Sequence, residues 1–535
     1  MLFMSFMKKF TSILVPAVLA ALVSGCSGGK VSGGNHTAVW SDGTWLRDTQ
    51  GRVIIVHGMN VSETAKHSPY QPFTVTTLTG STLTQNLEQN FARMKGLGLN
   101  VVRLLVLWAG LEPTPGTINT GYLDQIEAEV QACKDNGLWV LLDMHQDLYS
   151  ESFCFGDGAP SWACDLTGYD VSQCTINTSN PNIALWGLNY TLPGVRQSFQ
   201  NLWDDAPALD GLGLQEHYRA ALQALARTFS PATNLLGYDI MNEPYPGTYP
   251  LFTPAFEQQA LVPFYEKMVK GIRAADPVHV IAFEAANPLC SVATGFKTGI
   301  SQTTFSREFP GLLFEPHFYP LNPVDVSSIA PGLTALKTLG LIMKVPWLVG
   351  EFGVNYTTPG SAEYLLALLN SFDTCTIGWI EWSYDGDYAP GPYDTTRPDM
   401  SPYYPDGTPR PLTDKSGTQD FYGIDIISRP YPMLTAGTPV SIGYPITADP
   451  GSFTTTAFTY TYKEDGIGHG ATEIFLPPAH FPEGFTVTTS DGTASFDTTT
   501  DILSYYRGPR SVHTITVAPC DQPGPACIGV SLSSR

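Results

Sequence analysis

At 535 residues the chain exceeds one ordinary domain, and its length suits one large domain with a smaller module. A formal charge of −21 repels phosphate backbones, which excludes nucleic acid as a partner class. Aromatic residues make up 12% and charged residues only 14%, a balance that suits a large core and flat stacking surfaces and argues against disorder.

The N-terminus reads as a processing signal. Lys8 and Lys9 precede an apolar run from Phe10 to Leu22, which is too short to span a bilayer. It ends in Val23-Ser24-Gly25-Cys26, which resembles a bacterial lipobox and implies cleavage before Cys26 and lipidation of its sulfur. An ordinary secretory signal with a chance cysteine is the alternative, and either one means export. Residues 1–25 are therefore read as signal peptide and 26–39 as a Gly/Ser-rich tether. Export makes disulfides admissible among the other cysteines: Cys133, Cys154, Cys164, Cys174, Cys290, Cys375, Cys520 and Cys527. A bridge within the group Cys154, Cys164 and Cys174 and a local one between Cys520 and Cys527 are expected, while no spacing matches a zinc site.

Apolar runs then alternate with amphipathic stretches. Strands are predicted at Val53–His57, Asn100–Leu107, Leu138–His145, Leu236–Met241, Val278–Glu284, Leu312–His317, Trp347–Phe352 and Gly378–Trp382. Helices are predicted between them, including Tyr122–Asn136, Gln215–Phe229, Phe256–Ala275 and Ala362–Phe372. Eight such units point to an α/β fold, a closed (β/α)8 TIM barrel over residues 40–440. Long insertions follow the third strand, about 148–210, and the last, about 383–421. From Ser441 the runs alternate with period two ("AFTYTYK", "GFTVTTS", "VHTITVAP"), which predicts an antiparallel β-sandwich over 441–519 and leaves a tail at 520–535.

Barrel enzymes place their chemistry where strands end, and the polar residues of this chain collect there. Arg103 lies in the second strand, Asp143, His145 and Asp147 close the third, and Asn242-Glu243-Pro244 closes the fourth. His317 and Tyr319 follow the sixth, Glu351 the seventh, and Glu381-Trp382 end the eighth. A strand that only needed to stop would not carry an ionisable group on a proline-stiffened turn. Two carboxyls facing one another across a sugar are the minimum for glycoside hydrolysis. Glu243 is expected to stay protonated by desolvation and like charge, and Glu351 to stay ionised beside Tyr319 and Arg103. Asn242 can donate to a sugar 2-hydroxyl, and Trp382 offers a flat apolar face. Arg103, His317 and Asp143 also have a bland reading as satisfied buried polar groups.

Asn242-Glu243 after a fourth strand, with Glu351 after a seventh, resembles the retaining glycosidases of glycoside hydrolase family 5. Within it, "DMHQDLYS", "GAPSWA", "IMNEPYPG", "PHFYP" and "GEFG" followed by a sandwich are similar to the endoglycoceramidases, from about Trp40 to Pro519. That resemblance implies release of intact oligosaccharide from ceramide, with Glu243 as acid/base and Glu351 as nucleophile. It puts Lys66, His145, Asp147, Trp186, Asn242, Tyr319 and Trp382 on the sugar, with Arg103 and His317 in support. The chain departs from the family pattern in its cysteine-bearing third loop and in "IEWSYDGDYAPGPY" after strand eight. The expected partners are a glycosphingolipid and, through the anchor, a membrane surface. The expected state is a monomer with no cofactor and no metal. Other readings stay open: a cellulase-like endo-β-glucanase, a β-glucosidase acting on another glycolipid, a hydrolase with metal on Asp143, His145 and Asp147, or a non-catalytic carbohydrate-binding lipoprotein. The segment "YPLFTPAF" after the acid/base is the candidate wall for the lipid.

Overall fold

Eight parallel strands form where the continuous apolar runs lie: β1 (His57–Val61), β2 (Val101–Leu107), β3 (Trp139–His145), β4 (Leu235–Asp239), β5 (Val280–Phe283), β6 (Leu312–Phe314), β7 (Leu348–Val349) and β8 (Gly378–Tyr384). β2 is buried at every position and β3 at all but its first, as strands covered on both faces must be. Hydrogen bonding runs β7-β8-β1-β2-β3-β4-β5-β6. Parallel bridges from Phe314 to Trp347 and from His317 to Glu351 join β6 to β7, so the sheet closes into the (β/α)8 barrel. This computed structural model describes residues 39–528 except 63, 73–82, 155, 175–184, 252, 287–298, 321, 323, 385–399, 405–407, 420, 445–446, 450–451, 455–456 and 522–526. The signal peptide, Cys26, nearly all of the tether, Cys290, about half of the insertion after β8 and the side chain of Trp186 lie outside the described residues.

Local chemistry explains the helices that pack around the strands. Helix Thr120–Asp135 starts where the Asn119 side chain accepts the Tyr122 N–H at 3.2 Å, and stops just before Gly137, whose φ of +67° suits glycine. The single helix expected over 256–275 is a π turn, Glu257–Leu261, running into the α-helix Val262–Arg273. Pro263 has no N–H to return to residue 259, so the turn upstream of it widens.

The first predicted strand is divided. Val53–Ile54 pairs with Thr435 and Leu434 in a different sheet, and His57–Val61 supplies the barrel strand. That other sheet orders Trp40–Ser41, Leu46–Arg47, Val53–Ile54, Tyr431–Thr435, Thr472–Phe475, Ile502–Tyr506 and Thr493–Asp497. A four-stranded sheet of Thr438–Gly443, Phe458–Lys463, Val512–Pro519 and Phe485–Thr489 accompanies it. The antiparallel module thus draws in residues on both sides of the barrel in sequence, and its strands begin upstream of Ser441. Its buried core includes Tyr460, Ile474, Leu503, Ile515 and Val517.

The module covers the bottom of the barrel, where the strands begin. The Tyr431 ring stacks on His57 at 3.5 Å, and its hydroxyl donates to the Gly98 carbonyl at 2.7 Å. Arg429 reaches Asp373 at 2.6 Å and Asn370 at 2.7 Å. Chemistry at the top is therefore built by barrel residues. In the loop after β3, Cys154 bridges Cys174 and leaves Cys164 free, and Cys520 bridges Cys527.

Candidate active site

Glu243 leaves β4 with φ at +40°, a left-handed conformation that costs a non-glycine residue roughly 1–2 kcal/mol. Its neighbours hold it there. The Glu284 carboxylate accepts its N–H at 3.1 Å, and the Gln146 amide donates to the carbonyls of Asn242 at 2.9 Å and Glu243 at 3.1 Å. The Glu243 carboxyl lies 2.9 Å from His317 Nδ1. Burial first, and then the negative charge of Asp147, pushes its pKa up to about 7, with His145, Lys66 and Arg103 opposing.

Glu351 follows β7. Arg103 donates to its Oε1 at 2.8 Å and the Tyr319 hydroxyl to its Oε2 at 3.2 Å, while His317 Nδ1 lies 3.4 Å away. Burial pushes this carboxyl up as well, with His317 and Arg103 pulling back. Neighbours therefore divide the two acids: a guanidinium and a phenol face Glu351, and an imidazole faces Glu243. One oxygen of each lies within 4.8 Å of the other.

Arg103 is fully buried and reaches five carboxyls: Asp143 at 3.1 Å, Asp239 at 2.7 Å, Glu284 at 3.7 Å, Glu315 at 3.1 Å and Glu351 at 2.8 Å. It also donates to Asn60 at 2.9 Å and Asn242 at 3.1 Å. One cation cannot neutralise five anions, so burial keeps protons beneath the site: Asp239 is pushed up to about 6, and Glu284 and Glu315 rise well above the usual carboxylate range. Sequence reasoning missed Asn60, Asp239, Glu284 and Glu315. Their only signal was a polar residue in or just beyond an otherwise apolar strand.

A second cluster lines the side of β3 and β8. His145 Nδ1 contacts Asp143 Oδ2 at 2.7 Å, which places Asp143 beneath the imidazole and away from the cleft. The imidazole stacks on Trp382 with centroids 5.5 Å apart and planes 12° from parallel. Lys66 pairs with Asp147, lies 3.4 Å from Asp157, and sits 4.6 Å over the Trp382 ring. Against burial and Lys66, the Asp143 carboxylate raises the pKa of His145 to about 9. Against burial, Lys66 and His145 hold Asp147 below the usual carboxylate range. His145, Asp147 and Asp157 have ligand spacing for a metal, but the Lys66 ammonium already supplies the cation they need. Asp157 was not foreseen. Glu381 points to the opposite side from Trp382, into the wall, where Tyr356 donates to it at 3.1 Å. Beside the Glu243 turn, Tyr245, Tyr249, Pro250 and Leu251 line a cavity of about 210 Å³ with Thr191 and Arg196, and its surface is mainly apolar.

Carboxyls this close, at the ends of the fourth and seventh strands of a barrel, put the chain in the class of retaining glycosidases, because inverting enzymes hold theirs about 6.5–9.5 Å apart. Comparison with known sequences narrows the class. The chain belongs to glycosyl hydrolase family 5: the cellulase domain of that family matches residues 63–387, and the family 5 C-terminal domain matches 429–517. Endoglycoceramidase I of Rhodococcus hoagii (strain 103S) is 26% identical over 478 residues, 85% of this chain and 83% of the relative. Endoglycoceramidase of Cyanea nozakii is 30% identical over 362 residues, 63% of this chain and 67% of the relative. The solved structure of endo-glycoceramidase II from Rhodococcus sp. aligns with a TM-score of 0.70 at 28% identity, covering 89% of this chain and 100% of that one. That relative has also been solved as a ganglioside GM3 complex and as a lactosyl-enzyme intermediate.

Proposed function

We propose that the protein hydrolyses the β-glycosidic bond between oligosaccharide and ceramide in glycosphingolipids, releasing both parts intact, with Glu243 as acid/base and Glu351 as nucleophile. Protonated Glu243 gives its proton to the glycosidic oxygen as a Glu351 oxygen attacks the anomeric carbon. The bond to ceramide breaks, and the glycan is left as an ester on Glu351. Water then enters, ionised Glu243 takes its proton, and the hydroxyl attacks the same carbon as its ester bond to Glu351 breaks and frees the carboxylate, so the β configuration is restored. Arg103 and Tyr319 orient the nucleophile. Asn242, held by Arg103 and by a 3.0 Å bond from its amide to the Gln146 carbonyl, offers its second amide hydrogen to the sugar 2-hydroxyl. Lys66, His145, Asp147 and Trp382 hold the first sugar from the side, and the resemblance to endoglycoceramidases adds Trp186 to the sugar contacts.

The approach of the two carboxyls to within 4.8 Å carries the mechanism. The ganglioside complex and lactosyl intermediate of the Rhodococcus relative support the substrate. The lipobox-like stretch supports a cell-envelope lipoprotein anchored through Cys26 and acting at membrane surfaces. The test incubates the form lacking residues 1–26 with lactosylceramide or a ganglioside in mild detergent, and with cello-oligosaccharides in parallel. Mass analysis should find intact oligosaccharide and free ceramide. Activity confined to cello-oligosaccharides, or single sugars released from the non-reducing end, would refute the substrate and leave the two-carboxyl mechanism standing.

A further inference from the structure

Glu284, one residue beyond β5, is buried, and no part of the mechanism above uses it. Its Oε1 is shared between two groups of the reaction centre: it accepts the Glu243 N–H at 3.1 Å and lies 3.3 Å from His317 Nε2. Its own main-chain carbonyl is fixed by the Tyr265 hydroxyl at 3.0 Å. His317 thus faces two carboxyls through opposite ring nitrogens: Nδ1 is in hydrogen-bond contact with Glu243 at 2.9 Å, while Nε2 has the Glu284 oxygen as a close neighbour but no aligned hydrogen bond among the described residues.

A neutral imidazole carries one N–H, so what Nε2 meets decides what Nδ1 presents. The Glu284 oxygen accepts from the Glu243 N–H, and its negative charge density 3.3 Å from Nε2 repels a lone pair there and favours a hydrogen, so the hydrogen of His317 sits on Nε2. Nδ1 is then left with a bare lone pair facing Glu243. That arrangement is satisfied only while Glu243 holds its proton. We propose that Glu284 is a positioning residue for the reaction: it sets the tautomer of His317, and through it keeps Glu243 in the protonated form that the first step consumes.

The remaining groups around the pair are compatible with this. His317 faces Arg103, Asp143, His145, Glu243 and Glu351 as well as Glu284, and burial lowers its pKa to about 4, so the ring is neutral at working pH. Glu284 faces Asp239, Arg103, Glu243 and Glu315. Whether or not it carries a proton on Oε2, its Oε1 remains the acceptor, so the tautomer does not depend on its charge. The same contact steadies the left-handed Glu243 backbone, which joins the position of the acid to its protonation.

The inference rests on Glu243 being the acid, and the test separates the two. The rate constant kcat/KM is measured against pH for native enzyme, Glu284→Ala and Glu284→Gln, with lactosylceramide and with an aryl lactoside whose leaving group needs no proton. In Glu284→Ala, Nε2 loses its neighbouring oxygen, the hydrogen moves to Nδ1, and Nδ1–H stabilises ionised Glu243. The alkaline limb with lactosylceramide should therefore move about one pH unit or more toward acid, while the aryl lactoside shows no such move. Glu284→Gln offers a carboxamide oxygen to both N–H groups and should keep the native limb. A uniform loss of rate in Glu284→Ala at every pH and on both substrates would overturn the proposal. Should Glu284→Ala not fold, nitrogen NMR of the imidazoles in native enzyme decides: hydrogen on Nε2 with bare Nδ1 at His317 supports it, and the opposite tautomer overturns it. A native enzyme with identical alkaline limbs on the two substrates would instead refute Glu243 as the acid.

Discussion

Glu381 gives a prediction that follows from burial alone. Its carboxyl is fully buried in the wall of β8, with one oxygen accepting from Tyr356 at 3.1 Å and the other without a hydrogen-bond partner among the described residues. Burial pushes its pKa from the ordinary 4.5 up to about 8. A carboxyl raised in this way stabilises the fold while protonated. Its contribution is complete below pH 4.5 and is lost as pH climbs toward 8, because the unfolded chain releases the proton first. Each pH unit in that window costs about 1.4 kcal/mol, and the full window on the order of 5 kcal/mol. Glu381→Gln keeps an acceptor for Tyr356 and cannot titrate. Urea unfolding of native and variant proteins at intervals from pH 5 to pH 9 isolates the effect, since Asp239 and Glu315 lose stability equally in both. The variant should equal or trail the native protein at pH 5 and overtake it before pH 8. Parallel stability curves would refute the assignment of a buried proton to Glu381.

Glu351→Gln should abolish turnover of every substrate, whereas Glu243→Gln should still form the glycosyl-enzyme from substrates with good leaving groups and, with added azide, give a sugar azide of retained configuration; product configuration by NMR checks both. For native enzyme on lactosylceramide, kcat/KM should fall as pH rises through about 7, where Glu243 loses the proton that the leaving oxygen needs; a profile flat to pH 9 would contradict it. Replacing Cys154 and Cys174 by Ala opens a bridge between residues 20 apart in sequence, and should cost about 3 kcal/mol and make the loop after β3 the first site of proteolysis, seen by limited digestion and mass mapping. A thiol reagent applied to unfolded, unreduced protein should label Cys133, Cys164 and Cys375 and spare Cys154 and Cys174, as peptide mapping would show.

Features that depend on a few neighbouring residues were legible without coordinates. Continuous apolar runs must be covered on both faces, so "VVRLLVL" and "WVLLDMH" could be read as barrel strands, and a glutamate clamped between Asn242 and Pro244 at a strand end could be read as chemistry. Strand order then assigned the second acid to Glu351, and period-two alternation marked the sandwich. Tertiary structure decided what joins residues far apart in the chain. Closure of the barrel brings Asp143, Asp239, Glu284, Glu315 and Glu351 from five strands onto one guanidinium, and no spacing in the sequence encodes that convergence. Val53–Ile54 looked like the first barrel strand because its residues are apolar, yet its pairing with Leu434 and Thr435 lies some 380 residues away and is set by the covering of the barrel floor. Cys154 chose Cys174 over the nearer Cys164 for the same reason: backbone geometry, here a Cα separation of 5.7 Å, selects the partner. Periodicity and turn chemistry act over a few residues and are written in the chain. Charge compensation and proton placement act across space, and only the folded barrel brings their partners together.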